Sequence, residues 1–145
     1  MKMSLRIAAM AALLAGAAVA EEPTEFSVQA LPPSVVKTVP QAGDVAVDPA
    51  LKEITVTFSK EMRTKRMWSI CQVSDDSFPK SAGQVHYRGD KRTCVFPVRL
   101  EPGKTYVLWF NRGQFTAFHD TEDNPAVPYL LVFQTRAAGH ASRHK

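Results

Sequence analysis

Cysteine and glycine are scarce in this chain, with two and seven among 145 residues. Two cysteines are too few for a cysteine-rich scaffold or a four-cysteine zinc site. There is no Gly-x-Ser-x-Gly elbow, no phosphate-binding glycine loop and no His-Glu-x-x-His pair, so the commonest motifs of hydrolases, nucleotide enzymes and metalloproteases are missing. Internal repeats, polar tracts and a second block of distinct composition are absent too. Charge of one sign is also lacking. The 18 basic and 14 acidic side chains are interspersed, unlike the clustered basic face of a nucleic-acid binder. With 45% hydrophobic and 22% charged residues, the composition is that of an ordinary globular domain, and the length favours a single one.

The first segment reads as an address. Lys2 and Arg6 precede an apolar run of 13 residues, Ile7 to Val19, which ends in Ala18-Val19-Ala20 with Glu21-Glu22 beyond. That is the three-part layout of a secretory signal, so residues 1–20 are expected to be a signal peptide cut after Ala20. A membrane anchor would need about 20 apolar residues, so no span is expected after cleavage. Export to the periplasm or the medium sets the redox expectation. In an oxidising space Cys71 and Cys94 are expected to form a disulfide. It would close a loop of 24 residues and contribute roughly 3 kcal/mol. Two buried free thiols are the alternative.

Residues 21–33 are polar, carry three prolines and read as a flexible leader; residues 137–145 read as a frayed tail. Residues 34–136 hold about seven period-two runs: Ser34–Val39, Glu53–Ser59, Ser69–Val73, Gln84–Arg88, Thr93–Arg99, Lys104–Asn111 and Tyr129–Thr135. In the clearest, Ile54, Val56 and Phe58 face one way and Thr55, Thr57 and Ser59 the other, as a half-buried strand requires. Turn signals such as Gly89-Asp90, Glu101-Pro102-Gly103 and Asp123-Asn124-Pro125 separate them. No stretch beyond the signal carries a helical apolar period. Short strands at this spacing predict an all-β fold, a β-sandwich. Leu100 to Tyr106 sharpens this. A leucine ends one strand, Pro102-Gly103 turns, and Tyr106 opens the next strand, placed to hydrogen-bond back across a corner.

Three stretches resemble the bacterial Ig-like domain of the SbsA type, first described in S-layer proteins. They are Val36 to Gly43 with Ile54-Thr-Val-Thr-Phe-Ser-Lys-Glu-Met62, then Leu100 to Tyr106, then Phe118-His-Asp120 to Asn124-Pro125 with Phe133-Gln-Thr135. The likeness covers about Pro33 to Arg136. One departure is Asp123, where the family commonly has glycine before Asn-Pro. The resemblance implies an Ig-like Greek-key β-sandwich of about seven strands, serving as a binding or spacer module with no transferable catalytic residues, hence no enzyme and no cofactor. Fold alone does not carry function.

Candidate sites divide into ordinary and less ordinary ones. Lys60, Arg63, Lys65 and Arg66 read as a solvated loop. Arg88-Gly89-Asp90 spells an adhesion tripeptide but sits where a hairpin turn is expected. Asp120, Glu122, Asp123 and Asn124 crowd oxygens as calcium would want, although Asx turns explain them more simply. His86 is expected to face solvent, His119 to serve a turn, and His140 and His144 to lie in the tail. The opening also faintly resembles periplasmic copper-binding proteins of related fold. Met62 and Met67 would be the soft ligands of that alternative function, but the expected mature start, Glu21, is not the histidine those proteins use.

The less generic feature is one sheet that reads as apolar on both faces. If Tyr106, Leu108 and Phe110 face the core, Val107 and Trp109 face away. With Leu131 and Phe133 inward, Leu130 and Val132 face away as well. Together with Trp68 these form the candidate interaction surface, for an unknown protein or cell-envelope partner or for a homodimer. If the surface is internal, the leader or the tail folds over this sheet, with Phe26 and Leu31 as the plugs.

Overall fold

The computed structural model describes residues 26–139. The expected signal peptide, the start of the leader and the end of the tail, with His140 and His144, lie outside them. The period-two runs become eight strands: β1 Val35–Val39, β2 Glu53–Phe58, β3 Ile70–Gln72, β4 Lys80–Ser81, β5 His86–Tyr87, β6 Thr93–Arg99, β7 Thr105–Phe110 and β8 Tyr129–Gln134. Seven coincide with expected runs. The eighth, β4, is two residues long and too short to leave a periodic signature. One sheet runs β1-β2-β6-β4, with β5 also on β6; the other runs β3-β7-β8. All strand pairs are antiparallel. Two such sheets bury one face each, which is the sandwich the alternation required.

Ile54, Val56 and Phe58 of β2 and Cys94, Phe96 and Val98 of β6 line the inner face of the larger sheet. Tyr106, Leu108 and Phe110 of β7, with Leu131 and Phe133 of β8, line that of the smaller. Phe118, from the connection between β7 and β8, bridges the two layers. Its ring centroid lies 5.0 Å from that of Phe58 and 6.0 Å from that of Phe110. Val47 and Met62 complete this buried cluster from the loops. After β1 the chain crosses to the other sheet. The Gly43 N–H donates to Val132 O, the Gln134 N–H to Asp44 O, and the Val47 N–H to Gln134 O. The free edge of β8 is thereby covered.

Polar anchors hold β7 at both ends. Tyr106 is buried, and its Oη accepts the Glu101 N–H at 2.8 Å, the corner bond expected from the sequence. Gly103, whose φ of +65° suits glycine, makes the turn before it. The Thr135 hydroxyl donates to Glu101 O at 2.6 Å and accepts the Lys104 N–H at 3.0 Å, clamping that turn to the end of β8. At the other end Asn111 is fully buried with φ +58°. Its Nδ2 donates to Phe118 O and Ala126 O, and its Oδ1 accepts the Phe118 N–H, all within 3.1 Å. A buried amide this well matched ties two loops to the strand.

A buried ion pair closes one end of the sandwich. Lys60 Nζ donates to Asp120 Oδ2 at 2.5 Å, to Gln29 O at 2.9 Å and to Leu31 O at 3.1 Å, so all three ammonium protons are used. Asp120 is fully buried. Its Oδ1 accepts the N–H groups of Glu122 and Asn124, and its Oδ2 also accepts Asn124 Nδ2. The acidic loop is therefore an Asx-turn structure organised on one carboxylate. Asp123 within it has φ +66°, the left-handed conformation that glycine adopts freely, so the departure from the family pattern keeps the shape of that turn. Residues 27–33 of the expected leader bond both to one another and to the domain. Ala30 donates to Ser27 Oγ, Ser34 to Ser59 Oγ, and Val127 to Pro33 O. With the two carbonyls held by Lys60, residues 27–33 are fastened to the domain.

Two outcomes follow. Tyr106→Phe should keep the fold but lose about 1–2 kcal/mol in urea unfolding, because the Glu101 N–H is stranded at a tight corner. Lys60→Met should cost about 3–5 kcal/mol, since it leaves the Asp120 charge buried without its partner. Burial pushes the Asp120 carboxyl up, but the Lys60 ammonium and the Asn124 and Glu122 donors pull it below its ordinary value. Its contribution to stability is thus complete above the unfolded value of about 3.9 and lost as pH falls through the lower folded value. In Asp120→Asn that part of the acid unfolding limb should vanish from a pH titration of stability.

Candidate functional site

β7 is the middle strand of the smaller sheet, and its register settles which side chains share the outer face. Val107 lies opposite Val132, and Trp109 lies opposite both Leu130 of β8 and Cys71 of β3. Because Tyr106, Leu108 and Phe110 are buried inward, period two sends this row to solvent. Leu130 is 40% exposed; Val107, Trp109, Val132 and Cys71 are half-buried. Val73, two residues beyond Cys71, is 50% exposed. The Arg112 guanidinium lies 5.7 Å above the centroid of the Trp109 ring, a cation–π arrangement that also orients the indole. On the outer side of the larger sheet, by contrast, Thr57 and Thr93 face each other with their hydroxyls 3.1 Å apart.

The structure thus brings together four of the five expected surface residues, Val107, Trp109, Leu130 and Val132. Trp68 is a correction. It packs against the core and lines a lateral opening with Ile70, Phe78, Val85, Phe96 and Phe115. It lies just before β3, outside the strand whose alternation sets the face. Phe26 and Leu31 do not cover the Trp109 face either. They are exposed beside Ser59 and Lys60. The sequence reading left out Cys71 of this face, and Arg112 above its tryptophan. The alternation within Ser69–Val73 carried the signal, since an inward Ile70 leaves Cys71 pointing outward.

The same parity corrects the disulfide. Cys71 and Cys94 are both free. Cys94 points inward from β6, in register with Val56, while Cys71 stands on the outer face of the opposite sheet beside Trp109. A bridge would have to pass through the smaller sheet, and disulfide geometry requires converging Cβ vectors. Burial pushes the Cys94 thiol up to about 12. Burial also raises the Cys71 thiol, with the Arg112 cation pulling it partly back.

The other candidates resolve into local structure. Asp90 Oδ1 accepts the N–H groups of Arg92 and Thr93, and Arg88 pairs with Glu53 of β2 at 3.1 Å, so Asp90 is engaged within its own hairpin and Arg88 by a strand of the same sheet. His86 is exposed, with Nδ1 3.0 Å from Gln84 O. His119 Nδ1 is 3.9 Å from Asp123 Oδ1, and Arg63 holds Asp123 through Nε and Nη2 at 2.9 and 3.0 Å. Met62 is in the core, whereas Met67 lines a surface opening with Arg63, Thr64, Lys65 and Thr121. No group of three or more His, Cys, Asp or Glu poised for a metal ion occurs among the described residues.

The thiols give a direct check on this geometry. Native protein should take up one alkyl group from iodoacetamide, at Cys71, and two once unfolded in denaturant, because only the thiolate reacts and Cys94 is buried. A native mass two hydrogens light, with no alkylation, would restore the bridge.

Residues 29–135 match the family model of the bacterial Ig-like domain. Similar solved structures include the S-layer protein rSbsC(31-844) and surface layer protein SbsC, domains 1-6. Each shares 22% identity over 74% of this chain and 14% of that chain, with TM-scores of 0.46 and 0.47. The chain thus spans about one seventh of their length. No match was found among curated proteins. With the sandwich, the Tyr106 corner and a family match over most of its length, the chain belongs to the bacterial Ig-like domain family.

Proposed function

We propose that this chain is an exported, non-catalytic Ig-like module of the SbsA type, working in the periplasm or outside the cell, which holds a protein or cell-envelope partner through the Trp109 face. One observation carries the reading: an apolar row of Cys71, Val107, Trp109, Leu130 and Val132 on the outer side of a sheet whose inner side is already fully apolar. A strand needs only one apolar face to build a sandwich. The second face costs solubility and has no role in the core, and such patches mark interaction surfaces. Trp109 suits an anchor: tryptophan is the residue most enriched among binding hot spots. Export is supported by the layout of residues 1–20. No observation favours the copper alternative, whose Met62 thioether is committed to packing.

Trp109→Ser should leave the unfolding midpoint close to that of the wild type, because the indole is half-exposed and faces away from the core. It should weaken retention of the purified protein on the producing cell's envelope fraction by about thirtyfold, as loss of a 2 kcal/mol hot spot would. Equal retention by a variant that unfolds like wild type would remove Trp109 from the function.

A further inference from the structure

We propose that the Trp109 face is self-complementary and takes a second copy of this chain, the two smaller sheets packed face to face with their β7 strands antiparallel about a two-fold axis. The inference rests on the reading of that face as an interaction surface and adds the identity of the partner.

The distribution of charge along β7 is what selects the occupant. Just beyond the strand's C-terminal end, Arg112 lies over Trp109. At the other end, the turn after β3 carries exposed Asp75 and Asp76. Their place is set by Ser77 O, which accepts the Val107 N–H at 2.9 Å. Arg112, Asp75 and Asp76 form no ion pair with one another or with any other group among the described residues. The face therefore has an apolar middle, a cation outside any salt bridge at one end and two such carboxylates at the other, of which Asp75 accepts Gln72 Nε2 at 3.0 Å and Asp76 lies within reach of the Lys104 charge without pairing directly.

An isologous two-fold contact requires a patch that is its own complement. Turning a second copy by half a revolution about an axis through the Val107–Trp109 region sets each Arg112 against the partner's acidic turn and stacks the apolar rows. A parallel stacking would set Arg112 against Arg112 and the acidic turns against each other, and like charges in juxtaposition are repelled. The other occupants fit less well. An anionic lipid surface would be repelled by Asp75 and Asp76. The chain's own leader is fastened at Lys60, with Phe26 and Leu31 beside Ser59.

The test is sedimentation velocity of the full chain over ~1 μM to ~1 mM protein, a range that spans weak to moderate association. Wild type should show a concentration-dependent dimer in which Cys71 alkylation is slowed. Arg112→Asp changes an exposed residue with no part in the core, and should raise the dimer dissociation constant about tenfold or more by opposing like charges. The triple variant Arg112→Asp/Asp75→Arg/Asp76→Arg, which reverses both ends, should recover most of that loss. A protein monomeric at every concentration would overturn the proposal, as would a dimer indifferent to Arg112→Asp or a triple variant that stays weak. A monomer whose Trp109→Ser variant still loses envelope retention would overturn self-pairing alone. A dimer that survives Trp109→Ser, together with unchanged envelope retention, would remove both readings.

Discussion

The register of β7 is the constraint on which the rest of the molecule depends. Alternation leaves the strand two settings, and its end anchors select one. Slipping it by a single residue would pull the Tyr106 hydroxyl off the Glu101 N–H and the Asn111 amide off Phe118 and Ala126. Each detachment strands polar groups that no longer meet water, at about 1–3 kcal/mol apiece. It would also exchange Leu108 and Phe110 for Trp109 in a core already filled by Phe118 and Phe133. The outward position of Val107 and Trp109 is thus a consequence of the corner and the amide anchor, and not a defect of packing that a rotation could relieve.

A second polar lock works apart from the first. The Lys60–Asp120 pair joins the end of β2 to the loop before β8 and, through Gln29 and Leu31, to the leader. A buried pair of this kind contributes little net stability compared with an apolar substitute, yet breaking one partner is costly. Its effect is on geometry, since it determines where the chain enters the domain. The leader is led to the end occupied by the 120–124 turn, leaving the Trp109 face uncovered by it.

Much of this was legible in the sequence, and the exceptions have physical causes. Strands β2, β6, β7 and β8 run for six or more residues, so neighbouring positions corroborate one another; β4, with two, offers nothing to corroborate. Tyr106 could be read because its partner lies five residues away. Lys60 could not, because Asp120 is 60 residues distant and either residue alone resembles any solvated charge. Asn111 was missed for a related reason: a buried asparagine differs from a turn asparagine only in its distant partners. The cysteines show the opposite failure. Compartment and loop length favoured a bridge, but neither specifies a face, and the parity of Ile70 against Cys71 outweighs both. Trp68, next to β3 but outside it, shows that alternation cannot be extended past the end of a strand.

The edges of the two sheets bear on why the proposed association falls on the face and not on a strand edge. Exposed edges are the usual route by which β-proteins join. Here β8 is covered by residues 43–47. β1 is broken by a bulge between Val35 and Lys37, presents exposed Lys37 and ends at Pro40, all of which obstruct ladder formation. β3 is three residues long, too short to template a partner strand. A fold that obstructs these three edges while keeping Trp109 and Leu130 in contact with water disfavours joining through them and leaves the face of the smaller sheet open to apolar contact. That surface carries opposite charges at its two ends, so in the proposed pairing electrostatics would set the orientation of the second copy and the indole most of its affinity.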